Sequence, residues 1–140
     1  MRIISGKYKG KKLLEYDYDH IRPTSDKVKQ AIFTKFQFDI PTSRVLDLFC
    51  GTGALGIEAI SRSAKEVIFV DVNKKSVELT KKNLKLIDST AKVYNCDAER
   101  ALDLVKGKFD FIFLDPPYKS GLYEKIIEKI SKTDILNDNG

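Results

Sequence analysis

The run Val45-Leu46-Asp47-Leu48-Phe49-Cys50-Gly51-Thr52-Gly53-Ala54-Leu55-Gly56 combines a strand, a glycine turn and the start of a helix. Its second half is a G-x-G-x-x-G pattern, and Asp71 stands 20 residues beyond Gly51. Glycines permit a tight turn and a close approach of backbone to ligand, while an acid that ends the next strand can bind both hydroxyls of an adenosine ribose. The pattern predicts a site for an adenosine-containing ligand.

The same alternation of strand and helix occurs four times along the chain. Four short runs are rich in β-branched or aromatic residues, and three of them are nearly continuous apolar runs, as in parallel strands that are covered on both faces. The predicted strands are 44–49, 66–71, 91–97 and 109–115, and the predicted helices are 55–60, 77–87, 98–105 and 122–130. This order predicts an α/β fold with a doubly wound, Rossmann-like parallel sheet.

Two elements precede this core. Residues 3–5 and 12–14 flank a turn at Gly6–Gly10 and predict a β-hairpin, and a helix over 28–36 begins after Thr24 or Ser25 as its N-cap. We therefore expect an amino-terminal basic hairpin and a helix over 1–42, and a ligand-binding core over 43–140. A chain of 140 residues suits one structural domain.

The carboxyl end breaks the alternation. Residues 136–140 form a turn pattern where a fifth strand is due. We expect a sheet truncated after its fourth strand, so that the chain is a fragment or an incomplete form, or its edge is covered by another chain. An unpaired edge is a template for pairing, which makes self-association through it a further expectation.

The composition is that of a globular protein, with 42% hydrophobic and 32% charged residues. No apolar run reaches the ~20 residues that span a bilayer, and two cysteines are too few for a disulfide framework, so we expect a cytoplasmic protein without a membrane segment. Five cations and no acid lie in the first twelve residues: Arg2, Lys7, Lys9, Lys11 and Lys12. The other 20 basic side chains balance the 20 acidic ones. This arm predicts contact with nucleic-acid phosphates, with a solubilising hairpin as the alternative.

All four predicted strands carry an aspartate at or near the carboxyl end, namely Asp47, Asp71, Asp97 and Asp115. Ligands bind at that edge of an open α/β sheet, although any one of these residues could instead cap a helix. Four carboxylates would repel a pyrophosphate, since like charges ~4 Å apart cost about 4 kcal/mol at a dielectric near 20. S-adenosylmethionine carries one net positive charge and no phosphate. We therefore expect it as the ligand, with its ammonium near Asp47 and its adenine amine near Asp97.

The fourth strand ends in Asp115-Pro116-Pro117-Tyr118. Two prolines make a rigid loop, and that turn is the simpler interpretation. The functional hypothesis is a cradle for the exocyclic amine of a nucleobase. The Asp115 carboxylate and the Pro116 carbonyl accept its hydrogens, which frees the nitrogen lone pair, and Tyr118 stacks on the base.

With these motifs in this order, the chain closely resembles the bacterial 16S rRNA guanine-N2 methyltransferases of the RsmD type, which are class I S-adenosylmethionine-dependent enzymes. The resemblance rests on the opening 2–12, the Arg22-Pro23-Thr24-Ser25-Asp26 block, the glycine block and the proline tetrapeptide. It implies that 16S rRNA, free or in a small-subunit assembly intermediate, is the partner of the basic hairpin. It implies as well that the helix of 1–42 is a cofactor-covering helix, with Arg22 to Thr24 closing over the cofactor. It also implies catalytic roles for Asp115, Pro116, Pro117 and Tyr118, and a cofactor site built from Arg22, Pro23, Thr24, Asp47, Phe49, Gly51, Gly53, Asp71, Asp97 and Ala98.

Three other functions stay open at this point. The tetrapeptide serves a DNA adenine-N6 amine equally well, the basic arm alone fits a non-catalytic RNA-binding module, and the glycine pattern alone fits a nicotinamide-dependent dehydrogenase. Cys50 is interpreted as a packing residue. His20 is the only histidine, and no spacing suggests a metal site.

Overall fold

The computed structural model describes residues 1–15, 26–115 and 121–140. Helices and strands alternate along these residues as the sequence predicts. They are α1 (Asp26–Lys35), β1 (Arg44–Asp47), α2 (Ala54–Ser61), β2 (Glu66–Asp71), α3 (Lys74–Leu86), β3 (Val93–Asn95), α4 (Ala98–Leu104), β4 (Phe111–Phe113) and α5 (Leu122–Thr133). Strands β1, β3 and β4 are shorter than predicted, since β1 ends two residues earlier, and β3 and β4 each begin two residues later and end two residues earlier.

The four strands form one parallel sheet in the order β3-β2-β1-β4. Leu46 at the centre of β1 lies opposite Ile68 of β2 and Ile112 of β4. The chain reverses its direction of travel across the sheet between β3 and β4, so β1 and β4 become neighbours. A crevice for ligands opens at such a reversal, outside the carboxyl ends of the strands. The prediction of a Rossmann-like α/β sheet is confirmed.

Alternate residues of the two central strands supply two separate cores. Val45, Val67 and Phe69 belong to a cluster with the amino-terminal segment and α1 to α3, while Leu46, Ile68 and Val70 belong to a cluster with α4 and α5. Because successive side chains of a strand point to opposite faces, a continuous apolar run buries both faces at once. The site therefore lies at the edge of a sheet whose two central strands are buried on both faces.

The amino-terminal segment is a turn rather than a regular hairpin. One antiparallel bridge joins Arg2 to Lys12, and Ile3 N donates to Lys11 O at 2.9 Å. The tip bonds to α2 instead of extending the ladder, since Lys7 N donates to Ser61 O at 2.7 Å. A Cβ on Gly6 would lie 2.0 Å from that same oxygen, so only glycine permits the approach.

A fully buried carboxylate on α2 holds this segment against the helices. Glu58 accepts hydrogen bonds from Ile4 N at 2.9 Å and Ser5 N at 3.0 Å. Its charge is balanced by Arg62 at 2.9 Å and by the buried Lys29 of α1 at 3.5 Å. Breaking such a buried pair typically costs about 3–5 kcal/mol, so Glu58 fixes where the basic arm lies.

The carboxyl-terminal residues do more than turn. Phe109 N donates to Ile135 O and Asn137 N donates to Phe109 O, both at 2.8 Å, which forms a parallel bridge between Phe109 and Leu136. Beyond that bridge, the outer side of β4 has no strand beside it within residues 1–15, 26–115 and 121–140. A groove of about 780 Å³ follows this edge, lined by apolar side chains that include Ile32, Phe36, Phe111, Phe113, Ile127 and Ile130.

The last points about the fold concern membrane spans and domain division. In the part of the chain that the structure describes, no helix has the length and apolar character needed to cross a bilayer. The division into residues 1–42 and 43–140 stays a prediction.

Candidate cofactor and base site

The loop between β1 and α2 has the tight turn that its glycines predict. Gly51 and Gly53 have φ angles of +55° and +85°, in the left-handed region that favours glycine. Gly53 N donates to Cys50 O at 2.7 Å and Gly53 O accepts from Ile57 N at 2.8 Å. Gly53 also caps α2 without a side-chain hydrogen bond, and in the first turn of α2 Ala54 N donates to Thr52 Oγ1 and Gly56 N donates to Asp47 Oδ2, both at 3.3 Å.

Asp71, at the end of β2, connects two loops at this edge. Its Oδ2 accepts from Gly51 N and its Oδ1 from Asn73 N, both at 2.9 Å. A carboxylate has about four lone-pair sites, so both oxygens keep the capacity to accept ribose hydroxyls. The ribose role of Asp71 stays a prediction that this geometry suits.

Asp47 is a buried carboxylate, with 2% of its surface exposed. Its Oδ2 accepts from Gly56 N at 3.3 Å. Burial, the larger cause, and the charges of Asp71 and Asp115 together raise its pKa from 3.8 to about 7. The aspartates of β1, β2 and β4 therefore converge closely enough to influence one another, as the sheet order requires.

Asp97 caps helix α4, which is the alternative role that the sequence allows for each of the four aspartates. It is exposed at the start of α4, and its Oδ1 accepts from Arg100 N at 2.8 Å. Its Oδ2 does not take part in this cap. Oδ2 is therefore the oxygen that would accept the predicted hydrogen bond from the adenine amine. Ala98 is buried behind it, and Phe49 packs partly against the cluster under α4 and α5.

Six residues of the predicted site lie outside the described residues. They are Arg22, Pro23, Thr24, Pro116, Pro117 and Tyr118. His20 lies outside as well. Asp115 is described, and it is exposed directly after β4.

Two polar residues of α3 support the glycine loop, and sequence analysis missed both roles. Thr80 is buried and its hydroxyl donates to Gly51 O at 2.8 Å. Asn83, with no exposed surface, donates from Nδ2 to Thr52 O at 2.8 Å and to Leu14 O at 3.1 Å, and its Oδ1 accepts from Leu14 N at 2.7 Å. The sequence signal that could have identified them is a polar residue at a helix position that faces the core, because a buried polar group needs a hydrogen-bond partner.

Cys50 behaves as a packing residue of the loop. It is buried, and its Sγ lies 3.4 Å from Thr80 Oγ1. Burial and the nearby charges of Asp47 and Asp71 raise the pKa of the thiol. A thiol held protonated in this way is a weak nucleophile.

The residues present fit S-adenosylmethionine better than a dinucleotide. The loop from residue 47 to 56 contains no lysine or arginine that could neutralise a pyrophosphate. Asp47 is ion-paired with no cation among residues 1–15, 26–115 and 121–140, whereas the buried Glu58 has two cationic partners. A ligand that carries an ammonium group would give Asp47 the partner it lacks.

Comparison with known proteins points to one family. The family model described as conserved hypothetical protein 95 matches residues 1–140. YlbH of Bacillus subtilis, named as a candidate rRNA methyltransferase, is 43% identical over 100% of this chain and 79% of its own. Ribosomal RNA small subunit methyltransferase D of Haemophilus influenzae is 35% identical over 99% of this chain and 75% of its own. The structure of yhhF from Escherichia coli, described as a candidate methyltransferase, superposes with a TM-score of 0.88 at 34% identity, over 99% of this chain and 76% of that one.

Proposed function

Because the chain belongs to the conserved hypothetical protein 95 family, the RsmD family, we propose that it methylates the exocyclic N2 amine of a guanine in 16S rRNA. At the coarser level it is an S-adenosylmethionine-dependent RNA methyltransferase that acts on rRNA. The choice of guanine N2, and of naked rRNA or an assembly intermediate as the substrate, belongs to the proposal. The proposed reaction takes place in the cytoplasm, where ribosomal subunits of bacteria are made.

One observation carries the proposal, namely the convergence of Asp47, Asp71 and Asp115 beside the glycine loop. A dehydrogenase would place phosphates at this edge, where these carboxylates repel them. A non-catalytic RNA-binding module would have no use for a buried Asp47 that is ion-paired with no cation among the described residues, since such a carboxylate costs folding free energy. The arrangement supports an enzyme that binds a cation next to an acceptor of protons.

The residues have separate tasks in this proposal. S-adenosylmethionine supplies a methyl group on a sulfonium sulfur, which keeps the electron pair of the broken bond as the methyl leaves. Asp47 holds the ammonium end, Asp71 holds the ribose, and Asp97 with Ala98 holds the adenine end. Thr80 and Asn83 keep the loop in place through its carbonyl oxygens.

Asp115 acts on the nucleobase. The amine of guanine is a weak nucleophile because its lone pair is delocalised into the ring. A carboxylate that accepts one of its hydrogens draws the nitrogen towards a pyramidal shape, so the lone pair becomes available for in-line attack on the methyl. As the carbon–nitrogen bond forms, the nitrogen becomes positively charged and Asp115 receives its proton.

The test is transfer of labelled methyl to 16S rRNA and to a small-subunit assembly intermediate, followed by digestion of the product to nucleosides. We expect N2-methylguanosine as the product, and we expect Asp115→Ala to lower kcat by at least about 100-fold, the usual range for a positioned proton acceptor. Asp138→Ala is the matched control, because Asp138 is also an exposed aspartate and its neighbour Asn137 bonds to Phe109, before the amino end of β4. Its activity should equal that of the unmodified chain.

Three results would overturn the proposal. Methyl transfer that yields N6-methyladenosine in DNA would establish the alternative substrate, and RNA binding without transfer would establish the non-catalytic alternative. A larger thermal shift with NAD than with S-adenosylhomocysteine would reject the cofactor.

A further inference from the structure

Helix α3 presents a strongly basic surface to solvent. It carries five lysines and one acid, Glu78, in its 13 residues. All five lysines are exposed: Lys74, Lys75, Lys81, Lys82 and Lys85. We call them the α3 lysine face.

The helical period gathers these lysines on one side. Lys74, Lys81 and Lys85 follow at intervals of seven and four residues, so they form one row along the helix, and Lys75 and Lys82 form the neighbouring row. Lys81 and Lys85 are four residues apart, a spacing at which like charges repel. The opposite side of α3, which includes Val77, Thr80 and Leu84, is buried. The charge therefore covers the solvent side alone.

The α3 lysine face keeps a strong positive charge, because its five lysines share the solvent side of α3 with a single acid, Glu78. Among the described parts of the chain, no carboxylate lies within ion-pair distance of any of its five ammonium groups. The lysines near α4 and α5 differ, since Lys129 pairs with Asp103 at 2.9 Å, Lys132 with Glu128 at 2.7 Å and Lys108 with Asp134 at 3.2 Å. Outside the first twelve residues the basic and acidic side chains are equal in number. The lysines of α3 are nevertheless concentrated on one surface, apart from the ion pairs near α4 and α5.

The α3 lysine face lies beside the basic amino-terminal arm. Asn83 of α3 binds both the N–H and the carbonyl of Leu14, at 2.7 and 3.1 Å. Leu13 and Leu84 of α3 belong to the same buried cluster. Because Leu13 and Leu14, which directly follow the arm, pack on α3, we expect the two basic surfaces to add to one positive field, which attracts a polyanion.

We propose that the α3 lysine face binds the phosphate backbone of the RNA substrate and extends the contact surface of the amino-terminal arm. The inference rests on the proposed function for the identity of the polyanion. Lysine ammonium groups are point charges that suit phosphate oxygens and carry no base preference. Binding through them is therefore independent of sequence and strongly dependent on salt, while the base is selected at the sheet edge.

The experiment compares two triple variants with equal loss of charge. One is Lys75→Gln/Lys82→Gln/Lys85→Gln on the α3 lysine face, and the control is Lys106→Gln/Lys125→Gln/Lys132→Gln on the other side of the sheet. The dissociation constant of each for a labelled stem-loop RNA is measured without methyl donor between about 50 and 200 mM salt. Methyl transfer to 16S rRNA is measured in parallel, with the thermal shift by S-adenosylhomocysteine as the check that each variant is folded.

For the α3 variant we expect the slope of log affinity against log salt to fall by about one for each lysine that contacts a phosphate. KM for RNA should rise at least about tenfold at the upper end of that salt range, since neutralised phosphate contacts dominate RNA affinity, while kcat stays within about twofold of the unmodified value. The control should keep its slope and its KM.

Equal slopes for the two triple variants would overturn the inference and leave the proposed function intact. A fall in kcat at unchanged KM would also overturn it, because it would show a role in the chemical step. If the unmodified chain transfers no methyl to RNA, the proposed function fails, while the binding slopes still decide whether the α3 lysine face holds phosphates.

Discussion

At the scale of single residues, Asp47 shows the conflict between stability and ligand binding. Its carboxylate is buried beside two other acids, and its pKa lies at about 7 instead of 3.8. The folded chain therefore holds a proton that the unfolded chain has already lost between these two pH values. By linkage, the free energy of unfolding falls as pH rises through this window, by an amount of roughly 4 kcal/mol.

We predict that Asp47→Asn removes this pH dependence. At pH 8 the variant should be more stable than the unmodified chain by a few kcal/mol, because the charge is no longer buried, and at pH 4 the two should be similar. Urea unfolding at both pH values measures the difference. Asp138→Asn, which changes an exposed aspartate, should leave the pH profile as it is.

The same substitution should weaken ligand binding. Affinity for S-adenosylhomocysteine should increase as pH rises through 7 in the unmodified chain, since the ligand ammonium favours ionised Asp47. The variant should bind weakly at every pH. A titration by calorimetry in which Asp47→Asn binds as tightly as the unmodified chain would contradict the role given to this residue.

At the scale of elements, the third glycine of the pattern controls how α2 packs on the sheet. A Cβ on Gly56 would lie 2.2 Å from Cε1 of Phe69 and 3.0 Å from Cγ1 of Val67, both on β2. An aromatic ring buried in the central strand has no room to move. In the proposed function Gly51 and Gly53 serve the approach of the ligand, whereas Gly56 serves helix-to-strand packing.

We predict that Gly56→Ala lowers the free energy of unfolding by about 1–3 kcal/mol, the usual cost of overpacking a core. This outcome opposes helix propensity, which favours alanine over glycine by about 1 kcal/mol. Gly121→Ala is the control, because a Cβ at Gly121 meets nothing within 4 Å.

Urea unfolding compares the two alanine variants, and Phe69→Leu in the Gly56→Ala background should recover part of the loss by making room. An unchanged midpoint for Gly56→Ala would show that the helix can shift on the sheet at little cost.

At the scale of the whole molecule, the outer side of β4 is an open edge of the sheet among the described residues. Only the bridge from Phe109 to Leu136 adds a pairing beside it within the described ranges, and an apolar groove follows the edge. Open edges of this kind pair readily with other chains. The self-association expected from the sequence stays a prediction.

We predict a concentration-dependent dimer that is weakened by Ile127→Lys, since Ile127 lines the groove with 42% of its surface exposed. Leu104→Lys is matched in exposure, at 44%, and lies on α4 outside the groove, so it should leave the equilibrium unchanged. Light scattering after gel filtration gives the mass. A stable, monodisperse monomer at all concentrations would contradict this prediction.

Local patterns sufficed to predict the helices, the strands and the parallel α/β class. Periodicity and turn residues act over a few positions, so the run 44–49, the glycine loop and the amphipathic α3 could be found from their own residues. The positions of Asp47, Asp71 and Asp115 at strand ends were predicted in the same way. The exact ends of β3 and β4 were not, because pairing with a neighbour decides where a ladder stops.

Tertiary structure alone decided which of these residues lie close together and how far burial shifts the pKa of Asp47. Glu58 accepts a hydrogen bond from Ile4 N across 54 residues, and Asn83 accepts one from Leu14 N across 69 residues. No local pattern encodes these contacts. The order β3-β2-β1-β4 brings the acids of β1 and β4 to one edge, and burial then raises the pKa of Asp47. The physical reason is that desolvation and charge interaction depend on distance through space, and that distance exists only once the chain has packed.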